Sequence, residues 1–220
     1  MRAEMAAVPT ADVAKLLKAA GDDRFQVAIL LASEAGFRIG EIRGLQWGDI
    51  DHGRLQLTIR RAVDAEHGAV TSPKHGKTRQ VPLSGALAAA LSQLRKRGLW
   101  VVSTDDGGIL GYRVALRTLH KIYVQAGVPV PVSDAGVTMP WHALRHTFGT
   151  DLAGRGVPLP TLMELMGHTD IKTTMRYVTV TNDQKRAAIA LLGGSERQQV
   201  GNRPGPAAES PSNRPDSLQK

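Results

Sequence analysis

The hydrophobic period of this chain changes twice, and the change limits what it can fold into. Up to Trp47 and again after Ser84, apolar residues recur at three- and four-residue steps. Between residues 54 and 82 they alternate, through Leu55-Gln-Leu57-Thr-Ile59 and once more at Gln80-Val81-Pro82-Leu83. A period near 3.6 marks a helix with one buried face, and a period of two marks a half-buried strand. The chain therefore reads as mainly α with a small antiparallel β-sheet, an α+β fold whose strands lie between helices. Asp64 to Gly68 supplies one turn. Ser72-Pro73-Lys74-His75-Gly76-Lys77-Thr78-Arg79 supplies a second, basic one, expected to hold its charges outward on a hairpin tip.

Thr10 is the expected N-cap of a helix with Val13, Leu16, Leu17 and Ala20 on one face, stopped by Gly21-Asp22-Asp23. A second helix runs from Phe25 to Ala35-Gly36. Next, Ile39, Ile42 and Leu45 face the core at three-residue steps. Arg38 and Glu41 share a neighbouring face, so a guanidinium comes with its own carboxylate brace. After the strands, Ser84 caps a helix through Leu87, Leu91 and Leu94, and a helix from Tyr112 to Ala126 turns Val114, Leu116, Leu119 and Ile122 inward. Segments 141–154, 159–166 and 182–192 complete the helical set.

With 220 residues, 42% of them hydrophobic, the chain can bury one sizeable core. Residues 9–193 form the expected folded domain. Residues 1–8 are expected to be flexible, and 194–220, crowded with Pro, Gly, Ser, Asn and charge, to be disordered. The absence of cysteine excludes disulfides and thiolate metal sites. No apolar run approaches the ~20 residues of a membrane span and no signal-peptide core follows Met1, so a cytoplasmic protein without a membrane partner is expected. A net charge of +8 and a pI of 10.1 suit a nucleic-acid partner, although a solvated basic surface would look the same.

Chemistry-bearing residues gather in Trp141-His142-Ala143-Leu144-Arg145-His146-Thr147, Leu165-Met166-Gly167-His168 and Arg176-Tyr177. Their imidazoles, guanidinium and phenol could converge on one anionic centre. Singly, each has a plainer explanation: His142 and Arg145 share a helix face, His168 begins a turn, Tyr177 packs, and Arg38 and Lys74 are solvated charges. His142 and His146 at i and i+4 could hold zinc, but the metalloprotease pattern needs Glu directly after the first His, where Ala143 stands. No metal is expected.

Taken in order, Arg38-x-x-Glu41, a lysine on a β-turn, His142-x-x-Arg145, Gly167-His168 and Tyr177 resemble the tyrosine recombinase family of the phage-integrase type. The surrounding phrases agree, from Gly36-Phe-Arg38-Ile-Gly-Glu41-Ile-Arg-Gly-Leu-Gln-Trp47 through His142-Ala-Leu-Arg145-His-Thr-Phe to Leu165-Met-Gly-His168-Thr-Asp-Ile-Lys-Thr-Thr-Met-Arg-Tyr177. The resemblance implies that family's catalytic-domain fold. It also implies cleavage and rejoining of DNA through a 3′-phosphotyrosine, with no cofactor, metal or ATP. Tyr177 would be the nucleophile, and Arg38 and Arg145 the fork-shaped clamp on the phosphate oxygens. His142 would be the base, Lys74 the general acid with Lys77 as rival, His168 a phosphate hydrogen bond and Glu41 a support. Arg38, Lys74, Lys77, Arg79 and Arg145 would face double-stranded DNA. A homotetramer joined through the helix of residues 182–192 and a place on the nucleoid follow from the same likeness. A non-catalytic DNA-binding remnant and a type IB topoisomerase-like relaxer are the rivals. The stretch ahead of Arg38 is too short for the family's N-terminal core-binding domain, so that domain is expected to be absent from this sequence, and weak, salt-dependent DNA binding is expected with it.

Overall fold

The computed structural model describes residues 7–72 and 78–177, together with Arg186 and Ile189. The chain divides into a first unit, Met1–Thr179, and a second, Val180–Lys220. Of the second unit, Arg186 and Ile189 are described, both helical and exposed. The remainder of the expected helix at 182–192, the tail at 194–220, and Lys74 and Lys77 lie outside the described residues.

The first unit is mainly α with small antiparallel sheets, as the changes of period imply. Its centre is α2 (Asp23–Ala35), which packs against α1 (Thr10–Ala19), α3 (Ile39–Gly44), α4 (Gly85–Gln93) and α6 (Pro140–Gly154). Phe25, Val27, Ala28, Ile29, Leu30, Leu31 and Ala32 are all buried, so α2 is apolar around most of its circumference, as a helix surrounded by others must be. Asp22 caps its start by accepting from the Arg24 backbone N–H at 2.9 Å, and Gly36 ends it in the left-handed region at φ +65°. At the head of α1 the N-cap is Pro9 rather than Thr10. Thr10 is the first helical residue, and its hydroxyl is drawn across to Asp151 on α6 at 3.4 Å.

Strands β1 (Ile50–Asp51), β2 (Gln56–Ile59) and β5 (Arg79–Pro82) form one antiparallel sheet in the order β1-β2-β5, with buried Leu57 opposite buried Val81. The short strands β3 (Ala62–Val63) and β4 (Val70–Thr71) pair separately. The break falls at Arg60 and Arg61, which leave the ladder to pair with the buried carboxylate of Asp49.

Helix α5 (Tyr112–Gln125) buries Ala115, Leu119, Ile122 and Tyr123, and leaves Val114 exposed. The expected stripe is thus rotated, because Tyr123 takes an inward position and donates its hydroxyl to Pro140 O at 3.4 Å. The indole N–H of Trp141 donates to Ala115 O at 3.3 Å, completing the attachment of α6 to α5. At the other flank Val8, 4% exposed, exchanges hydrogen bonds with the Thr147 hydroxyl at 2.9 Å. Val8 is therefore held in the core rather than in a loose N-terminus.

Helices α7 (Leu159–Met166) and α8 (Ile171–Met175) follow α6. Phe148, Leu162, Met166 and Tyr177 form a small apolar cluster apart from the main core. This cluster positions the site.

Candidate active site

One buried carboxylate organises the charges. Arg38 is the N-cap of α3, and its backbone N–H donates to Glu41 Oε2 at 2.8 Å while its Nη1 donates to Oε1 at 3.1 Å. From β5, Arg79 approaches as a two-pronged fork, Nη1 to Oε1 and Nη2 to Oε2, both 2.8 Å. Arg145 Nη1 on α6 stands 4.0 Å from Oε2. Burial alone would push the Glu41 carboxyl up. The hydrogen bonds and charge of Arg79, then the charges of Arg145 and Arg38, outweigh it and hold the carboxyl at about 2.

Arg79 corrects the sequence reading. It is not an outward, DNA-facing charge on a hairpin tip: its side chain is 7% exposed, and its Nε donates to Leu165 O at 3.0 Å on α7. The pattern could have shown this, since Arg79, Val81 and Leu83 alternate along the strand and so share the inward face.

Arg145 is buried, donating to Gly36 O, to Met166 O at 2.5 Å and to His168 Nε2 at 3.1 Å. Burial first, then Arg38, lowers its pKa to about 9, which leaves it charged at neutral pH. A guanidinium can only donate, so His168 Nε2 accepts and its Nδ1–H donates to Thr174 Oγ1 at 2.9 Å. Burial and the charges of Arg145, Arg38, Arg79 and Arg176 press His168 down to about 3. His168 is therefore neutral, and its Nε2 reaches a phosphate oxygen as a donor only by releasing Arg145 and gaining a proton.

His142 is exposed at its outer edge and turns Nε2 inward to His146 Nε2, 3.0 Å away. Burial and then Arg145, Arg176 and Arg38 lower its pKa. His146 itself is buried, and the sequence pairs it with His142 only as a disfavoured zinc site, not as part of the phosphate pocket.

Tyr177 follows the single turn of α8, which is capped by Asp170 accepting from Lys172 N–H at 2.9 Å. The phenol ring is 8% exposed and lies parallel to the His168 ring at 6.2 Å and tilted to His146 at 5.1 Å. Beneath it is Gly149 of α6: a Cβ there would stand 2.8 to 3.0 Å from the tyrosine ring atoms, closer than real side chains come. At the C-cap of α7, Gly167 holds φ +63°, and a Cβ there would meet Arg79 Nη1 at 2.9 Å.

Arg38 borders two clefts, one shared with Tyr112, Trp141, His142 and Arg145, the other with Thr78, Arg79, Gly167 and His168. The structure thus brings together Arg38, Glu41, Arg79, His142, Arg145, His168 and Tyr177. Among the described residues, no three His, Cys, Asp or Glu side chains gather as a metal centre would.

The phage integrase family model matches residues 8–184. The chain belongs to this family. Among curated members of known name, it is 30% identical over 211 residues to the tyrosine recombinase XerC-like protein of Caldanaerobacter subterraneus subsp. tengcongensis, covering 82% of this chain and 52% of that one. To the tyrosine recombinase XerA of Pyrococcus furiosus it is 27% identical over 201 residues, covering 83% and 63%. This phage integrase family chain therefore spans about half to three fifths of the length of those relatives. Among solved structures, the Tn1549 transposon integrase in complex with transposon right end DNA superposes with a TM-score of 0.71 at 21% identity, over 87% of this chain and 67% of that one. The catalytic domain of bacteriophage HP1 integrase gives 0.64 at 21% identity, over 89% of this chain and all of that one. The fold is that of a tyrosine recombinase catalytic domain.

Proposed function

We propose that residues 9–193 are the catalytic domain of a site-specific DNA recombinase or integrase that cuts and rejoins double-stranded DNA through a 3′-phosphotyrosine at Tyr177. The observation that carries this reading is the meeting of two guanidiniums, Arg38 and Arg145, with a buried tyrosine and imidazoles drawn from separate parts of the chain. A phosphodiester passing through a five-coordinate state concentrates charge on its nonbridging oxygens, and two fixed forks suit that charge better than water does. Glu41 and Arg79 hold the forks in place. Tyr177 attacks phosphorus, His142 receives the phenolic proton, and His168 bonds a phosphate oxygen once the phosphate draws Arg145 away and Nε2 has gained a proton.

The departing 5′ oxygen needs a proton, and Lys74, with Lys77 as its rival, is the proposed donor. Thr78, directly after that segment, lines the cleft shared by Arg38 and His168. The positive charge comes from side chains and the phosphotyrosine conserves the energy of the broken bond, so the reaction uses neither metal nor ATP. DNA-bound assembly as a homotetramer through residues 182–192, in the cytoplasm on the nucleoid, completes the reading.

The test is a nicked suicide DNA that traps covalent protein. The expected result is an adduct with the wild type and none with Tyr177→Phe. An adduct persisting in the Phe variant overturns the nucleophile assignment, and no adduct on a verified site leaves a DNA-binding remnant.

A further inference from the structure

Between the residue read as base and the residue read as nucleophile lies another imidazole. His146 is 4% exposed, and its ring centroid is 4.6 Å from that of His142, edge on, and 5.1 Å from that of Tyr177. The Nε2 atoms of the two histidines are 3.0 Å apart. Two imidazole nitrogens meet at that distance with one proton between them: the ring that gives it has a bare Nδ1, and the ring that accepts it carries its own proton on Nδ1. His142 is exposed and can hand an Nδ1 proton to water, whereas His146 is enclosed.

We propose that His146 relays the phenolic proton of Tyr177 to His142 and through it to solvent. The proposal rests on the reading of Tyr177 as nucleophile and deepens it. His146 takes the phenolic proton on Nδ1 as its Nε2 proton passes to Nε2 of His142. His142 then releases its Nδ1 proton to water. Both rings end neutral with the proton on the opposite nitrogen, and the phenolic oxygen is free to bond to phosphorus. No other reactant is consumed.

The charges facing this pair are Arg145 on the same helix, Arg176 and Tyr177 beyond α8, Arg38 ahead of α3 and His168 on the other side of the tyrosine ring. Burial first, then His142, Arg176 and Arg145, holds His146 at about 4. At neutral pH it therefore passes a proton on rather than storing it. A phosphodiester gripped by Arg38 and Arg145 offsets part of the positive field at His142, which eases the arrival of the proton on its Nε2.

The experiment compares His146→Leu with His146→Gln, which can hold the hydrogen bond to His142 but cannot move a proton. Covalent capture on nicked DNA is followed from pH 7 to pH 9, with thermal unfolding as a check of folding. The relay expects both variants to be slowed about tenfold or more at pH 7, then to gain about tenfold per pH unit as the phenol ionises unaided. It also expects recovery when 3-fluorotyrosine, a more acidic phenol, replaces Tyr177. A wild-type rate in His146→Gln overturns the relay, as does a defect that neither pH nor fluorotyrosine relieves, since His146 would then only hold His142 in place. Nitrogen-15 NMR of the uncut, DNA-free protein is independent of the cleavage reading. The relay expects one shared Nε2 proton between the two rings, and an Nε2 proton on each ring overturns it. An inert wild type with that shared proton present would overturn the nucleophile reading, and the relay with it, while the pairing stood.

Discussion

Glu41 is the residue whose loss the site would feel first. With its folded carboxyl at about 2 against an ordinary 4.5, it binds its proton less readily in the fold than in the unfolded chain. Its contribution is therefore complete above about pH 4.5 and is lost as pH falls toward 2. The shift corresponds to about 3 kcal/mol. His146 and His168, at about 4 and 3, stay neutral in the fold while the unfolded chain takes up protons below pH 6.5. Stability should thus begin to decline below pH 6.5, well before the carboxylate responds. Thermal unfolding across pH 3 to 8 checks this: a Tm that declines from pH 6.5 downward is expected, with the upper part of the decline reduced in His168→Asn. Glu41→Gln keeps the shape but leaves Arg38, Arg79 and Arg145 around a neutral amide. A loss of about 3–5 kcal/mol in urea denaturation is the expected result.

Among the elements, α6 shows local propensity and function pulling in opposite directions. Gly149→Ala would ordinarily strengthen an exposed helix by about 1 kcal/mol. Here its new methyl would stand 2.8 Å from the Tyr177 ring. A variant with nearly unchanged Tm but adduct formation slowed at least tenfold is the expected outcome, checked by pairing calorimetry with the suicide-DNA assay. Gly167→Ala should lose about 1–2 kcal/mol, because φ +63° strains any side chain and Arg79 already fills the space.

The elements also explain what the sequence disclosed. The period changes placed α1 to α7 and the strands β2 and β5, because one-sided burial writes itself into spacing, but not the single turn of α8, which is too short to show a period. Arg38, Glu41, His142, Arg145, His168 and Tyr177 were legible through their order along the chain. Arg79 was not, because a basic turn just before it masked the alternation that continues into Val81. His146 was hidden by its adjacency to Arg145, and Gly149 by being a glycine in a helix, whose meaning depends on a ring that lies 28 residues later in the chain, at position 177. The phase of α5 was misjudged because Tyr123 buries its ring and satisfies its hydroxyl on Pro140, a pairing that no local pattern contains.

For the molecule as a whole, a charge of +8 should make the proposed DNA affinity sensitive to salt. If Arg38 and Arg145 alone displaced counterions, the logarithmic slope would be about −1.8, so binding would weaken about twelvefold between 50 and 200 mM salt. Fluorescence anisotropy over that range should give at least this loss, and a flat response would contradict a phosphate-gripping surface. The Glu41 carboxylate has a different bearing on the molecule. Its partners sit at positions 38, 79 and 145, so the cage closes only when an early helix, a strand from the middle of the chain and a late helix have all reached their places. A chain caught partway through folding holds every ingredient of the site and still lacks the cage that sets its guanidiniums, so the proposed chemistry would wait on the finished fold.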